Sequence, residues 1–302
     1  MNKVLIIVGP TASGKSDLAV RLAKKFKGEI ISADSRQVYK GLDVGTGKIT
    51  KKEMRGVPHY LLDVVDPKKY FSASDYKRLA SSSQRYIATT KKKLPIVVGG
   101  TGFYIDTLTG QVSLPNVPPN KLLRKKLDKF NKEKLFSMLK RKDPDRARAI
   151  DPRNKVRIIR ALEIIETLGK VPKIKQKFDK RFVFIGINPT KEILEKNIKT
   201  RLISRLKKGM INEVRKLHAN GLSYKRLHDL GLEYRYIGMY LQKKINRKEL
   251  EEMLYKEIRA YSKRQMTWFK RNRKIRWFTL SKVEGLDPQE YKRIENWVKK
   301  NI

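Results

Sequence analysis

The 302-residue chain has no cysteine and only three histidines, His59, His218 and His228. The absence of cysteine excludes disulfide bonds, thiol nucleophiles and cysteine-ligated zinc sites. With so few imidazoles, acid–base chemistry falls mainly to carboxylates. The longest uninterrupted apolar run, Val4 to Val8, is far shorter than the roughly 20 residues of a membrane-spanning helix. We therefore expect a soluble, cytoplasmic protein.

Acidic residues are also scarce in comparison with basic ones. The chain contains 72 lysines and arginines against 30 aspartates and glutamates, a formal net charge of +42. This excess is larger than solubility requires and favours a polyanionic partner. Clusters such as Lys91 to Lys93 fit an ordinary solvated surface equally well. Charge therefore favours binding to nucleic acid without indicating which nucleic acid.

Apolar, β-branched segments alternate with amphipathic helical stretches along most of the chain. The candidate strands are Val4 to Val8, Glu29 to Ala33, Tyr60 to Val64, Pro95 to Val98, Val183 to Ile187 and Ile275 to Phe278. The main helical stretches run from about 75 to 90, 192 to 217 and 247 to 271. Such alternation predicts an α/β fold with a parallel sheet.

Residues 113–181 have a different character. A proline-rich linker, Leu114 to Pro119, is followed by basic helical periods without a candidate strand. We interpret this region as a helical insertion domain. Residues 1–112 and 182–302 would together form the α/β core.

The first strand leads into a phosphate-loop motif. The segment GPTASGKS comprises Gly9, Pro10, Thr11, Ala12, Ser13, Gly14, Lys15 and Ser16. It fits G-x-x-x-x-G-K-[ST] between a predicted strand and a predicted helix, the context that the motif requires. Its backbone amides and helix N-terminus would surround a diphosphate, with Lys15 as a cation and Ser16 as a Mg²⁺ ligand. The motif predicts a P-loop kinase-like core and a phosphate site, and leaves open whether ATP binds there.

A second glycine-rich segment, GLDVGTGK at Gly41 to Lys48, only resembles a phosphate loop. Its glycines have the wrong spacing, and Ile49 replaces the hydroxyl residue. We interpret it as a close-packed loop.

Asp34 directly follows the second candidate strand, at the edge where open α/β sheets bind ligands. Chemistry alone leaves three roles open for it: a helix cap, a magnesium ligand or a general base. Arg36 and Gln37 can make the bidentate hydrogen bonds that recognise a base edge. The fourth strand ends in a glycine-rich turn with the hydroxyl of Thr101, which suits either a ligand site or a structural turn.

Six segments occur in a characteristic order and spacing: GPTASGKS, SADSRQVYKGLDVGTGK, PHYLLDVVDP, VVGGTGFY, RIIRALEI and KRQMTWFK. Together, from Gly9 to Lys270, they resemble the tRNA dimethylallyltransferase (tRNA isopentenyltransferase) family. The resemblance implies transfer of a dimethylallyl group from dimethylallyl diphosphate to N6 of adenosine 37 in the tRNA anticodon loop. It implies diphosphate as the second product and Mg²⁺ as the cofactor.

The resemblance also implies roles for residues of the phosphate loop and for Asp34. The loop would hold the diphosphate of the donor, with Lys15 and Thr11 in catalytic roles and Ser16 on Mg²⁺. Asp34 would act as the general base, hydrogen-bonded to the adenine amino group while N6 attacks the allylic carbon. Lys15 and the metal would offset the charge on the departing diphosphate.

A third implication concerns tRNA. The residues that would contact it are Asp34, Ser35, Arg36, Gln37, Thr101, Arg124, Val156, Arg157, Ile158, Ile159 and Arg160. Arg157 and Arg160 are three residues apart on a predicted helix, so we expect the two cations to project together towards phosphates. The target adenine would be flipped out of the loop. A partner as large as tRNA makes a monomer plausible.

The segment KRQMTWFK ends a long predicted helix, where it suits either an RNA-facing basic edge or packing. Arg264 and Trp268 are four residues apart and could stack.

Three alternative functions share parts of this pattern. One is a nucleotide or small-molecule kinase, which would usually bring extra arginines to its phosphates. Another is an isopentenyltransferase acting on free adenine nucleotides, which gains little from a charge of +42. The third is an RNA-binding protein with an inactive phosphate loop, against which the intact Lys15, Ser16 and Asp34 argue.

Overall fold

The structure, a computed structural model, describes residues 3–172, 179–280 and 287–302. The chain divides into two compact units. The core unit comprises Met1–Thr109 and Phe178–Ile302, and the helical unit comprises Gly110–Lys177. The boundaries predicted from the sequence, 113 and 181, lie within a few residues of this division.

The core unit contains a six-stranded, entirely parallel sheet in the order β3-β2-β4-β1-β5-β6. Its strands are Val4–Val8 (β1), Gly28–Ser32 (β2), His59–Tyr60 (β3), Leu94–Gly99 (β4), Phe182–Ile187 (β5) and Arg276–Phe278 (β6). Val8 of β1 is in register with Gly99 of β4 and Gly186 of β5. The loops that follow these strands therefore leave the sheet at one edge. The α/β prediction is confirmed.

Helices surround the sheet and extend the core unit. They are Lys15–Lys25 (α1), Lys51–Met54 (α2), Ala73–Arg85 (α3), which continues as a π-helix at Tyr86–Thr90, Gly102–Leu108 (α4), Lys191–Lys207 (α9), Met210–Ala219 (α10), Tyr224–Leu230 (α11), Leu232–Leu241 (α12), Arg247–Phe269 (α13) and Pro288–Asn301 (α14). Helices α5 to α8 belong to the helical unit and are Lys121–Leu127 (α5), Lys132–Lys142 (α6), Pro144–Ala149 (α7) and Lys155–Leu168 (α8).

One predicted strand is shorter than expected and one predicted helix is divided into two, and backbone geometry explains both. The strand predicted at Tyr60 to Val64 stops after Tyr60, because Leu61 and Asp63 have φ angles of 63° and 56°. Those angles are incompatible with an extended strand. The helical stretch predicted from Glu192 to Leu217 is two helices, separated where Gly209 adopts a φ of 89°.

Burial follows the alternation of side chains along β1. Leu5 and Ile7 pack with α1 on one face of the sheet, while Val4, Ile6 and Val8 belong to the cluster on the other face. All five side chains are fully buried, as expected of a parallel strand covered on both faces. The sheet edge that carries the predicted site is therefore held by a rigid core.

The helical unit has a hydrophobic core of its own. It is built mainly from α6 and α8, and includes Leu135, Leu139, Ile158 and Leu162. Helix α8 begins at the cap Asn154, whose side chain accepts a hydrogen bond from the Arg157 amide, and ends before Gly169. Among the described residues, no helix has both the length and the apolar character needed to cross a membrane.

Candidate active site

The phosphate loop joins β1 to α1, as the motif predicts. At Gly9 an added Cβ would lie 2.6 Å from the Ile187 carbonyl oxygen, so only glycine fits there. Ala12 has a φ of 62°, a strained conformation typical of functional loops. Its carbonyl accepts a hydrogen bond of 3.1 Å from Asn197 Nδ2. The hydroxyl of Ser13 is buried and has no hydrogen-bond partner among the described residues.

A cavity of about 460 Å³ opens beside this loop. Thr11 and Ser16 line it together with Asp34, Gln37 and the last two residues of β4. Four basic side chains also line it: Lys15, Arg55, Arg201 and Arg205. These four basic residues outnumber the three carboxylates of the lining, Asp17, Asp34 and Glu53, so the cavity suits an anion.

Lys15 is the basic residue that the sequence identified. Its Nζ donates a 3.0 Å hydrogen bond to the Pro10 carbonyl, which holds the ammonium over the phosphate loop. Burial and then the nearby Arg201 lower the pKa of Lys15 to about 8. An anion bound in the cavity would offset both effects.

Arg201 and Arg205 are the functional residues that sequence reasoning missed. They lie four residues apart on α9, and this spacing places both on one helix face. Desolvation of its guanidinium and the neighbouring Arg205 lower the pKa of Arg201 to about 10, so it stays charged at neutral pH. The sequence shows that these two arginines are four residues apart. Only the fold shows that they lie beside the phosphate loop.

Asp34 lies in a tight turn at the carboxyl end of β2. Its Oδ1 accepts hydrogen bonds from the amides of Arg36 at 2.8 Å and Gln37 at 3.3 Å. These bonds close a turn, since residues 35–38 form no helix, so Asp34 is not the helix cap considered from the sequence. The turn does not exclude the role of base, because Asp34 also lines the cavity and Oδ2 can still accept a proton.

Thr101 ties the end of β4 to this turn. Its hydroxyl accepts a 3.0 Å hydrogen bond from the Ser35 amide, and its own amide donates to the Ala33 carbonyl at 3.1 Å. Any side chain at Gly99 would overlap Ala33. The glycine-rich turn thus serves close strand packing, and Thr101 orients the residues around Asp34.

Gln265 connects two of these loops. Its Oε1 accepts a 2.7 Å hydrogen bond from the Thr11 amide, and its Nε2 donates to the Gly100 carbonyl at 2.9 Å. The residue is only 6% exposed. For Gln265, therefore, the packing interpretation of the KRQMTWFK segment is the better one.

The predicted stacking of Arg264 on Trp268 is wrong. Arg271 lies over the Trp268 ring, 3.8 Å from its centroid, whereas Arg264 is near the Tyr261 ring. Trp268 donates its indole N–H to Asp106 at 2.9 Å. One helical turn brings residue 271 as close to residue 268 as residue 264, so spacing alone could not decide between them.

In the helical unit, the sequence analysis missed Glu163. This glutamate binds Arg124 and Arg160, two arginines that are predicted to contact tRNA. Glu163 on α8 accepts hydrogen bonds from Arg124 Nε at 2.8 Å and Nη2 at 2.7 Å, and pairs with Arg160. The Asn120 amide donates to the same carboxylate at 2.6 Å. Arg160 also donates to the Val117 carbonyl at 2.8 Å. This network fixes α5 and the preceding segment to α8.

Arg160 turns towards Glu163 while Arg157 is exposed, so the two cations differ in their surroundings, and their joint projection towards tRNA phosphates stays a prediction. Val156 is also exposed, at 78%. Ile158 and Ile159 are 0% and 8% exposed and belong to the core of the helical unit. Their side chains therefore pack within this unit, and their assignment as tRNA contacts stays a prediction.

Glu163 is 1% exposed, and burial alone would raise its pKa. The hydrogen bonds from Arg124, Arg160 and the Asn120 amide outweigh burial and lower the pKa to about 2. The carboxylate is therefore ionised at every pH above this value.

Comparison with known proteins extends over nearly the whole chain. A family model described as IPP transferase matches residues 37–272. A tRNA dimethylallyltransferase from Thermoanaerobacter sp. (strain X514) is 40% identical, with 99% of this chain and 96% of that protein covered. The chain belongs to the IPP transferase family. A second relative in this family, from Anoxybacillus flavithermus, is 39% identical over 92% of this chain and 91% of that protein.

Solved structures agree with this membership. A full-length tRNA isopentenylpyrophosphate transferase from Bacillus halodurans has a TM-score of 0.75 and 35% identity, with 100% of this chain and 97% of that chain covered. A eukaryotic dimethylallyltransferase, described as acting on tRNA, has a TM-score of 0.84 and 25% identity, with coverages of 100% and 81%. The resemblance drawn from the six motifs is confirmed, as is the P-loop kinase-like fold of an IPP transferase.

Proposed function

We propose that this enzyme transfers a dimethylallyl group from dimethylallyl diphosphate to N6 of adenosine 37 in tRNA. The observation that carries the proposal is one cavity in which a phosphate loop, two arginines and Asp34 meet. The named tRNA dimethylallyltransferases among its relatives support the same reaction. We further propose that the protein acts as a cytoplasmic monomer on unmodified tRNA.

The cavity can supply the three elements that this reaction needs. Lys15, Arg201 and Arg205 would bind the donor diphosphate and stabilise the negative charge that develops on it as the C1–O bond breaks. The adenine N6 would form the new bond to C1. Asp34 would accept the proton that N6 loses, and diphosphate would leave with the electron pair of the broken bond.

Mg²⁺ is the expected cofactor, and the residues present fit it. The hydroxyl of Ser16 and the carboxylate of Asp34 line the same cavity, and Ser13 has a buried hydroxyl without a partner among the described residues. Mg²⁺ usually takes few protein ligands and completes its coordination with phosphate oxygens and water. When bound, Mg²⁺ would supply positive charge to the leaving diphosphate.

The tRNA would be bound by basic side chains and by the turn around Asp34. Ser35, Arg36, Gln37 and Thr101 are held near Asp34 by their hydrogen bonds. In the helical unit, Arg157 offers an exposed cation. The side chains of Arg124 and Arg160 are 43% and 33% exposed, so they can contact phosphate while bound to Glu163.

A kinase is the second candidate, because the extra arginines that a kinase would need are present as Arg201 and Arg205. The same two arginines would stabilise the negative charge on a departing diphosphate equally well. The cavity by itself therefore does not separate the two reactions, and the relatives favour prenyl transfer.

The proposal can be tested with Mg²⁺, radiolabelled dimethylallyl diphosphate and unmodified tRNA in which adenines follow the anticodon. We expect labelled N6-dimethylallyladenosine after digestion of the tRNA, and no labelled product from AMP. Label in AMP instead of tRNA would indicate the nucleotide-prenylating alternative. Absence of label from both, with ATP-dependent phosphorylation of a small acceptor, would indicate a kinase.

Binding of dimethylallyl diphosphate should weaken at alkaline pH through Lys15. The pKa of Lys15 in the free protein is about 8, so above this pH the ammonium must regain a proton when the donor binds. Affinity should then fall by up to about tenfold per pH unit, since one proton is taken up. Calorimetric titration between pH 7 and 10 measures the slope. Lys15→Arg keeps its charge across this range, so its profile should be flat, and an equally flat wild-type profile would contradict this role.

Arg157→Ala should weaken tRNA binding and reduce its salt dependence. Loss of one phosphate contact lowers the slope of log K against log salt by about 0.7 to 0.9. Filter binding at several salt concentrations measures this slope. Arg148→Ala removes an exposed arginine of the same unit that lies outside the predicted contacts, and should leave the slope nearly unchanged. Equal slopes for Arg157→Ala and wild type would show that Arg157 does not touch phosphate.

A further inference from the structure

The loop at Gly41 to Lys48, rejected as a second phosphate loop, nevertheless binds an anion. Its consecutive amides at Asp43, Val44 and Gly45 donate to one carboxylate, that of Glu213 on α10, at 3.0, 2.6 and 3.0 Å. The Tyr234 hydroxyl donates to the same carboxylate at 2.9 Å. Successive backbone amides that converge on an anion form a nest. Here the anion is a side chain of the protein itself.

The same loop supports Arg205 in the cavity. Arg205 Nη1 donates to the Gly45 carbonyl at 3.3 Å, and its guanidinium lies so close to Gly47 that a Cβ there would overlap it. Glu233, 3.4 Å from Arg205 Nη1, holds it from another side. The loop also accepts a hydrogen bond of 3.4 Å from Gln37 Nε2 at the Gly47 carbonyl. Gly45 and Gly47 therefore contact Arg205, and Gly47 also contacts Gln37, a residue that the proposed function places on tRNA.

We propose that Glu213 is a positioning residue for the donor diphosphate, because it fixes the loop against which Arg205 is held. The proposal rests on the proposed function of the cavity. Glu213 is absent from the described residues that line the cavity, so it acts through the loop and not by touching the donor. Its negative charge is satisfied by four donors, and Arg205 remains available to an external anion.

Glu213→Gln is the most informative change. A glutamine has one oxygen to accept hydrogen bonds and one amide group that only donates. In either orientation of the amide, at least one of the three loop N–H groups faces another donor. The loop then shifts, and Arg205 shifts with it. A misplacement of about 1 Å can lower a catalytic rate by up to about 10²-fold, and we expect a smaller loss, about tenfold, in affinity for inorganic diphosphate with Mg²⁺.

A double-mutant cycle distinguishes positioning from a general structural role. If Glu213 acts through Arg205, adding Glu213→Gln to Arg205→Ala should weaken diphosphate binding no further than Arg205→Ala alone. Glu251→Gln, an exposed glutamate of α13 paired with Arg247, is the matched control and should bind as wild type. Independent, additive losses would overturn the proposal, as would unchanged affinity in Glu213→Gln.

Two further measurements cover the cases in which Glu213→Gln does not fold or the proposed function is wrong. If Glu213→Gln fails to fold by circular dichroism, Gly47→Ala disturbs the contact with Arg205 without changing α10, and should lower diphosphate affinity in the same way. Unchanged affinity in Gly47→Ala would then overturn the proposal. Because diphosphate binding needs no prenyl transfer, a wild-type protein that binds diphosphate but leaves tRNA unlabelled contradicts the proposed function alone.

Discussion

Asp34→Asn is expected to lower kcat for prenyl transfer by about 10²-fold or more, with little change in tRNA affinity. Asparagine keeps a carbonyl oxygen for the hydrogen bonds from the Arg36 and Gln37 amides, so the turn should persist. An amide cannot accept the proton that N6 loses. Single-turnover labelling of tRNA, with separate measurement of tRNA binding, separates the chemical step from binding.

Asp34→Ala provides the second arm of this experiment, because it also removes the two hydrogen bonds that hold the turn. If the base is the important role, both variants should lose kcat to a similar extent. Asp229→Asn serves as the control, since this exposed aspartate accepts a hydrogen bond from Tyr70 and is absent from the described residues that line the cavity. Wild-type turnover in Asp34→Asn together with a low value in Asp34→Ala would assign Asp34 to the turn alone.

Glu163→Ala is expected to destabilise the helical unit by roughly 3 kcal/mol, the cost typical of removing one partner from a buried ion pair. Arg124, Arg160 and the Asn120 amide would lose their shared acceptor. Hydrogen exchange of amides within residues 110–172 measures the effect in this unit separately from the core unit.

Glu166→Ala is the matched control on the same helix. Its carboxylate is 59% exposed and 3.3 Å from Lys142, and exposed pairs contribute about 0 to 1 kcal/mol. If both variants lose the same small amount, Glu163 does not hold the unit together.

The stabilisation from Glu163 should also depend on pH. Its pKa is lowered from 4.5 to about 2 in the folded state, so the contribution is fully present above about pH 4.5 and is lost as pH falls towards 2. Glu163→Ala should remove this part of the acid sensitivity. An unchanged acid profile in the variant would contradict the assigned pKa shift.

Much of the fold was predictable because the local signals agree with one another. The run Val4 to Val8 is apolar and β-branched, and it becomes a central strand because both faces of a parallel sheet are covered. The glycines and Lys15 of the phosphate loop have a required spacing, which is visible without coordinates. Helix and strand ends were less predictable, since the left-handed conformations of Leu61 and Asp63 occur at residues that rarely adopt them.

The site was predictable only where its residues share a motif. Asp34, Ser35 and Thr101 each follow a strand, so the sequence placed them at one edge of the sheet. The ion pair of Arg160 with Glu163 was overlooked, although Glu163 lies three residues further along the same helix. Gln265 was hidden in a basic segment, although its two hydrogen bonds join residues more than 160 positions away.

The sequence by itself determined the class of fold, the family, the phosphate loop and the excess of positive charge. These properties depend on local spacing and composition, which folding does not change. The tertiary structure alone decided that Arg201 and Arg205 line the phosphate cavity, that Glu213 fills the nest of the 41–48 loop and that Arg124 pairs with Glu163. Such partners are chosen by the packing of distant helices, because a buried charge is stable only beside the group that compensates it.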